Sequence, residues 1–379
     1  MDDRLLIDAA HRVAPIVRDR AGEADAARRI PAETIKELQS SGLFKVLQPK
    51  RYGGYEMDPR TYFEICSILG AADGSTGWVY GVLAGHSWII ALMSAAAQDA
   101  MWGADPDATA SAAVFARQGG IEKLDDGTYK ASGQWAFASG CHHGSWFLIG
   151  GVALNAMHEG LVFLLVPPGQ FSIVDNWNVA GLCGTGSCDV VVDAVVPRER
   201  VLLHGDPLEV SSAPIYRLPL LSVLASVATY PLIGIAKGAL DNYVSYQRSR
   251  MKLFGTMAGD EATTRYRAGV AAADIDAAEA VLARDWAEAI DTVRAGGELS
   301  DDQRIRMGRN QARAVDMSVQ VVNRLFNASG ARALWLDNPM QRAWRDINAG
   351  ALHMTNQLDD KAITAGSYAF GVPADQLMF

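Results

Sequence analysis

Three kinds of side chain in this sequence could do chemistry at neutral pH: one serine, two histidines and a pair of arginines. Ser139 ends the run Gly133-Gln-Trp-Ala-Phe-Ala-Ser139, and Gly140-Cys-His-His-Gly-Ser-Trp146 follows it. Trp135, Phe137 and Ser139 alternate with small residues, the period-2 pattern of a strand, and Trp146–Ile149 restarts an apolar run. Two strands joined by a short polar turn would leave a hydroxyl and backbone N–H groups at the strand end, where a flat, hydrogen-bonding cofactor can lie. An ordinary hairpin, with Ser139 satisfying its own backbone, fits the same pattern. His353, in Ala-Gly-Ala-Leu-His353-Met-Thr-Asn on the last predicted long helix, titrates near neutrality and can donate and recover a proton. His86 shares a helix face with Trp78, Val82 and Ile89 and so points the way the apolar stripe points; a satisfied core histidine is the competing reading. Arg248 and Arg250 close a long helix in Tyr246-Gln-Arg-Ser-Arg250-Met-Lys-Leu-Phe-Gly255, where cations are favourable with or without an anionic ligand.

Other reactive side chains have less behind them. His142 and His143 are adjacent on an extended segment, so they face opposite ways and make no metal pair. His11, His158 and His204 have no supporting neighbours. The four cysteines, Cys66, Cys141, Cys183 and Cys188, show no CxxC spacing, which argues against zinc and against a disulfide framework and favours a reducing compartment. No metal site is expected. No GxGxxG follows a strand, so no NAD(P)H site is readable.

These residues need elements to hold them. Residues 1–108 read as helical, with apolar residues at three-to-four spacing in Leu5–Ala21 and Ala32–Ser41, then helices from about Asp58 to Leu69 and from Gly77 to about Ala97 behind the N-cap signal Asp73-Gly-Ser-Thr76. From Thr109 to Val201 the pattern becomes short alternating runs punctuated by glycine, a β domain. From Pro214 four long helices return, roughly Leu220–Arg250, Tyr266–Ala295, Asp301–Ala328 and Pro339–Gly366; the Gly234/Gly238 pair and the alanine-rich Ala271–Ala289 suggest close packing in a bundle. The fold class is therefore α+β, mainly α, with a helical domain at 1–108, a β domain at 109–210 and a four-helix bundle at 211–379.

Composition limits the function classes. With 379 residues, 49% apolar and 20% charged, the chain is an ordinary globular protein large enough for two or three substructures. A net charge of −9 without a Lys/Arg cluster argues against nucleic acid as partner. The uncharged run Leu218–Ala236 is about as long as a membrane span, but it contains Pro219 and Pro231 and continues as an amphipathic helix, so a buried helix is expected and no membrane. No secretory signal is visible after Met-Asp-Asp-Arg, and a cytoplasmic location is expected.

Taken in order, Leu47-Gln-Pro-Lys-Arg-Tyr52-Gly-Gly54, the Ser139 motif, Gly181-Leu-Cys-Gly-Thr185-Gly-Ser187, the Val196-Pro-Arg-Glu-Arg-Val201 exit and Arg345-Asp346 give a further reading. The chain resembles the acyl-CoA dehydrogenase superfamily along nearly its whole length. Within it, the chain is most similar to oxygenase components of two-component flavin monooxygenases, such as hydroxylases of hydroxyphenylacetate, steroid-derived phenols and indoles.

The resemblance implies a reduced flavin (FADH2 or FMNH2) and O2 as co-reactants, a separate NAD(P)H:flavin reductase, a small aromatic substrate and a homotetramer. It implies that Ser139 places its hydroxyl or amide at flavin N5 to hold a C4a-hydroperoxide, that His353 stands where acyl-CoA dehydrogenases carry a glutamate base and acts catalytically by donating to the hydroperoxide, and that His86 binds the phenol O–H or indole N–H and helps deprotonate it. Tyr80, Trp88 and Phe137 would wall the substrate, Trp135 and Phe137 would border the flavin, and Arg248 or Arg250 with Ser329-Gly330 would meet flavin phosphate, often across a subunit boundary. Cys183 stands where many relatives carry arginine. The implied reaction is hydroxylation of a phenol or indole. N-oxygenation of an amine or amino sugar is the nearest alternative, and an acyl-CoA dehydrogenase would share the fold.

Overall fold

The computed structural model describes residues 2–203, 206, 213–252 and 255–374, so His204 of the candidates lies outside it. Five helices come first: α1 (Asp3–Ala27), α2 (Ala32–Ser40), α3 (Pro59–Ala72), α4 (Gly74–Ala91) and α5 (Ala95–Trp102). Their starts are written in the sequence, because Asp58, Asp73 and Ser94 each accept a backbone N–H of the turn that follows. The expected Gly77–Ala97 helix begins earlier and is split at Ser94, whose side chain caps α5.

Every residue of α4 is buried, so it has no single inward stripe. Glycines let its neighbours approach: a Cβ on Gly77 would lie 2.6 Å from Gly70 Cα of α3.

Eight strands follow: β1 (Ala110–Ala113), β2 (Phe115–Lys123), β3 (Tyr129–Ala138), β4 (Trp146–Val152), β5 (Leu161–Val166), β6 (Phe171–Val174), β7 (Cys188–Val196) and β8 (Val201–Leu203). They form two four-stranded sheets, ordered β1-β4-β5-β8 and β2-β3-β7-β6. β3 and β4 therefore belong to different sheets, and the expected hairpin around Ser139 is not one. The chain crosses between sheets there because the N–H groups of Ser145 and Trp146 donate to Thr109 O beside β1 (3.0 and 3.1 Å), and Gly144 passes so close that a Cβ would meet Ser111 N at 2.6 Å.

A second departure lies in β3 itself. Its register against β7 shifts between Trp135 and Ala138, and Phe137 takes a left-handed φ of +65°. That bulge breaks the alternation. Trp135 goes into the sandwich core (1% exposed), Phe137 turns outward (59% exposed) and Ser139 turns in again.

Helices then return as α6 (Leu220–Ser249), α7 (Ala262–Arg294), α8 (Asp301–Ala328), α9 (Pro339–Gly350) and α10 (Leu358–Ala369). α6 passes the length and composition test for a membrane span, yet 72% of its apolar window is buried by neighbouring elements. Its glycines do what their spacing suggests, since a Cβ on Gly234 would lie 2.3 Å from Ser67 O of α3. The expected helix Pro339–Gly366 is broken. Gly350 ends α9 against Leu232, where a Cβ would come within 2.5 Å of Leu232 Cδ2, and His353 caps the next short turn by accepting the Thr355 N–H. His353 thus stands in the break between two helices rather than on one.

Candidate active site

The site begins with directed hydroxyls. Trp78 on α4 donates its indole N–H to Ser139 Oγ (3.2 Å), Ser139 Oγ lies 2.7 Å from Ser187 Oγ, and Ser187 Oγ lies 2.7 Å from Thr185 Oγ1, which donates to Leu182 O (2.7 Å). Ser139, Ser187 and Thr185 are all buried. Sheet pairing creates this contact: Ala138 sits opposite Cys188 in the β3–β7 register, which brings the ends of two strands together. The Leu182 turn is held in turn by α9, whose Asp346 accepts the Leu182 N–H at 2.6 Å.

The backbone donors expected at this strand end are already used. Ser139 N–H donates to Phe137 O (2.9 Å), Gly140 N–H to Thr185 O (2.9 Å) and Cys141 N–H to Ala138 O (3.1 Å). The Ser139 amide is therefore not available to a ligand, and its hydroxyl is. The Ser139 carbonyl accepts from Ser111 Oγ of β1 at 2.8 Å.

β1 also reaches His86. Its Nδ1–H donates to Ala110 O at 2.9 Å, which leaves Nε2 as a bare acceptor with no partner among the described residues. Desolvation drives the His86 imidazolium down to about 4, and the Ala110 bond only partly opposes it. His86 is therefore neutral at pH 7. His353 takes the opposite tautomer. The Thr355 N–H and hydroxyl both lie at its Nδ1 (3.3 and 2.8 Å), so the neutral ring carries its proton on Nε2. Desolvation lowers its pKa also to about 4, and although the exposed side of the ring tempers that shift, the direction keeps the ring neutral at pH 7. Trp78 joins the two ends, standing edge-on to His353 with centroids 5.6 Å apart and planes at 70°.

Outside this line lies an aromatic shelf. Phe137 meets Trp177 edge-on with centroids 6.3 Å apart and Phe115 at 6.3 Å, and both phenylalanines are more than half exposed. A left-handed non-glycine residue beside an exposed aromatic cluster is the kind of strain found at ligand sites.

Three expected residues are elsewhere. Tyr80 lies on the face of α4 opposite Trp78 and His86, and Trp88 lies on the side away from His86. Both are fully buried, with Tyr80 Oη donating to Leu43 O (3.1 Å) and Trp88 Nε1 donating to Ile215 O (2.9 Å). Their full burial and committed donors place both in the core of this structure. Trp135 is sandwich core and borders no open surface.

The arginines divide. Arg250 donates to Ser329 O (3.1 Å) and lies against Gly330, so Arg250, Ser329 and Gly330 do converge. Arg248 instead faces a cleft of about 450 Å³ with Tyr243, Gln247, Thr264 and Arg265. Neither adjoins Ser139: α6 touches the start of α4 at Ile235, and Arg250 follows 15 residues later, about 22 Å along the axis.

These arrangements can be set beside known proteins. Residues 2–104 match the family described as Acyl-CoA dehydrogenase, N-terminal domain, and residues 226–358 match Acyl-CoA dehydrogenase, C-terminal domain. The flavin-dependent monooxygenase oxygenase subunit HsaA of Rhodococcus jostii is 37% identical, over 96% of this chain and 98% of its own length. The chain belongs to the flavin-dependent monooxygenase oxygenase subunits of the acyl-CoA dehydrogenase fold. An FADH(2)-dependent resorcinol hydroxylase, oxygenase component, of Rhizobium is 34% identical over 97% of this chain and 94% of its own. The crystal structure of the HsaA monooxygenase from M. tuberculosis superposes with a TM-score of 0.92 at 35% identity, covering 98% and 99% of the two chains.

In this oxygenase an arginine from another helix reaches Cys183. Arg345 of α9 pairs with Asp25 of α1 (2.8 Å), donates to Ala180 O (2.7 Å) and comes within 3.6 Å of Cys183 Sγ. Beside it Asp346 is fully buried, and desolvation with the nearby Asp73 carboxylate raises its pKa to about 7.

Spacing in the sequence missed one more convergence. Cys141, His142 and Cys188 bring their ligand atoms within 4.8 Å of one another, with Cys188 Sγ 3.5 Å from His142 Nε2. Ser187, Thr185 and Trp78 were missed as site residues too. The Gly-Thr-Gly-Ser run was visible, but only strand pairing puts it on Ser139.

Proposed function

We propose that this oxygenase subunit hydroxylates a small aromatic compound bearing one ring O–H or N–H donor, a phenol or an indole, between His86 and the Ser139–His353 line. The observation that carries the reading is the pair of opposed neutral imidazoles, with an acceptor at His86 Nε2 and a donor at His353 Nε2. The resorcinol hydroxylase named above supports a phenol.

The structure's donor set fits a reduced flavin. The Ser139 hydroxyl has an open lone pair, the Phe115–Phe137–Trp177 shelf offers flat apolar contact, and His353 has an uncommitted N–H. When bound, reduced flavin with O2 supplies the electrophilic oxygen atom. The chain's own residues do the rest. Ser139 anchors the ring edge, and the Phe137 shelf covers its face. His353 donates from Nε2 where negative charge develops and recovers its proton afterwards.

His86 orients the substrate by accepting its O–H. It serves as a hydrogen-bond acceptor, because desolvation holds its imidazolium pKa well below the ordinary value and disfavours taking up a proton. Burial of α4 leaves His86 only 6% exposed, so a bound substrate would close that acceptor off from water.

A separate reductase supplies the reduced flavin in this reading, which the words "oxygenase subunit" and "oxygenase component" of the relatives support. Copies of the chain would assemble, as a homotetramer, over the exposed Leu334, Trp335, Leu336, Ile363 and Phe370. Arg250 with Ser329-Gly330 would then serve the flavin of a neighbouring copy, given its distance from Ser139. The protein is taken to act in the cytoplasm.

The test is anaerobic loading with reduced FMN or FAD, then mixing with O2 and a panel of phenols, indoles and amines. Hydroxylated phenol or indole formed in step with flavin oxidation supports the proposal. Stoichiometric hydrogen peroxide with every aromatic, or turnover of amines alone, overturns it.

A further inference from the structure

The hydroxyl line at Ser139 has only one self-consistent direction. An indole N–H can only donate and a carbonyl can only accept, so both ends are fixed: Trp78 gives to Ser139, and Thr185 gives to Leu182 O. Each hydroxyl has a single proton. With the Thr185 proton committed, the 2.7 Å contact between Ser187 and Thr185 must be donated by Ser187. With the Ser187 proton committed, the 2.7 Å contact between Ser139 and Ser187 must be donated by Ser139. Ser139 then has no proton for a ligand and one lone pair left over.

We propose that Ser187 and Thr185 are positioning residues that turn the Ser139 hydroxyl into an acceptor toward the flavin, and that this makes the site selective for reduced over oxidised cofactor. The inference rests on the reading that Ser139 meets flavin N5. N5 carries a proton in the reduced cofactor and is a bare acceptor in the oxidised one. An acceptor-only Ser139 matches the first and sets lone pair against lone pair with the second. Burial makes the mismatch count, since Ser139, Ser187 and Thr185 are only 8%, 4% and 2% exposed and a flavin seated on Ser139 would exclude the remaining water that could relieve it. The fold protects this direction from two sides. Leu182, the final acceptor, holds a left-handed φ of +53° and is tied through its N–H to Asp346, while Trp177 also donates to its carbonyl at 3.2 Å. Anything that frees the Ser139 proton lets the hydroxyl rotate and donate to oxidised N5.

The test is the affinity of the whole protein for oxidised and reduced FMN and FAD, with the midpoint potential of the bound flavin. In Ser187→Ala, oxidised flavin should bind about 10-fold tighter while reduced flavin changes little. The bound potential should fall by about 30 mV, the two-electron equivalent of a tenfold change in that ratio. Thr185→Val should shift the ratio the same way, because it frees the Ser187 proton, and it carries the test alone should Ser187→Ala not fold. Ser187→Thr, which keeps the hydroxyl, should restore the wild-type ratio. Trp78→Phe should leave the ratio unchanged, since Ser139 still donates to Ser187.

Equal weakening of both redox forms in Ser187→Ala would mean a merely structural role and overturn the proposal. So would an unchanged ratio in a variant that binds flavin. Failure of the wild-type protein to bind either form would instead remove the flavin reading itself.

Discussion

Two tryptophans on one helix separate packing from function. Trp78 and Trp88 both lie on α4, are 6% and 0% exposed, and each donates one indole hydrogen bond, at 3.2 Å to Ser139 Oγ and at 2.9 Å to Ile215 O. Replacement by phenylalanine removes that bond and leaves a void of roughly 40 Å³, which at about 24 cal/mol per Å³ costs about 1 kcal/mol. The hydrogen bond adds about 1 kcal/mol. Trp78→Phe and Trp88→Phe should therefore each lose about 2 kcal/mol, read as a lower denaturant midpoint at unchanged slope. Only Trp78 touches Ser139 and His353. Trp78→Phe should raise the hydrogen peroxide released per flavin oxidised several-fold, while Trp88→Phe should match the wild type in that ratio. Equal peroxide release from the two variants, with stability losses alike, would refute the assignment of Trp88 to the core and of Trp78 to the site.

Three further outcomes are expected. His353→Ala should convert most turnover to peroxide release while reduced-flavin binding, measured by dialysis, stays within a few-fold; unchanged product yield would remove His353 from the mechanism. Asp346 titrates near 7 in the fold against an ordinary value of 3.8, so the folded state holds its proton more tightly and the associated stability declines as pH rises from about 4 to about 7. Asp346→Asn keeps an acceptor for Leu182 N–H and should flatten that slope in thermal denaturation between pH 5 and 8, and a slope as steep as the wild type's would locate the titration elsewhere. Gly234→Ala should destabilise by more than 2 kcal/mol, since its Cβ would stand 2.3 Å from Ser67 O at the α3–α6 crossing; chemical denaturation with a loss below 0.5 kcal/mol would contradict that contact.

The sequence alone determined what local rules govern. The cap signal at Asp73 marks a helix start to within a turn, and the Gly234/Gly238 pair marks a tight crossing before any contact is seen. Ser139, His86 and His353 were legible as candidates because their residue types and motif order are local properties. Face and direction were not. Whether Phe137 follows Trp135 inward depends on a register shift against β7, a strand more than fifty residues away in the chain. Tyr80 and His86 look alike on a helix apolar all round, and only the elements packed against each side make one core and the other site.

Tautomers depend in the same way on Ala110 and Thr355, and the direction of the Ser139 proton depends on Leu182, more than forty residues downstream. Hydrogen-bond direction is a property of a closed set of donors and acceptors. Tertiary structure decides it because only the fold closes the set.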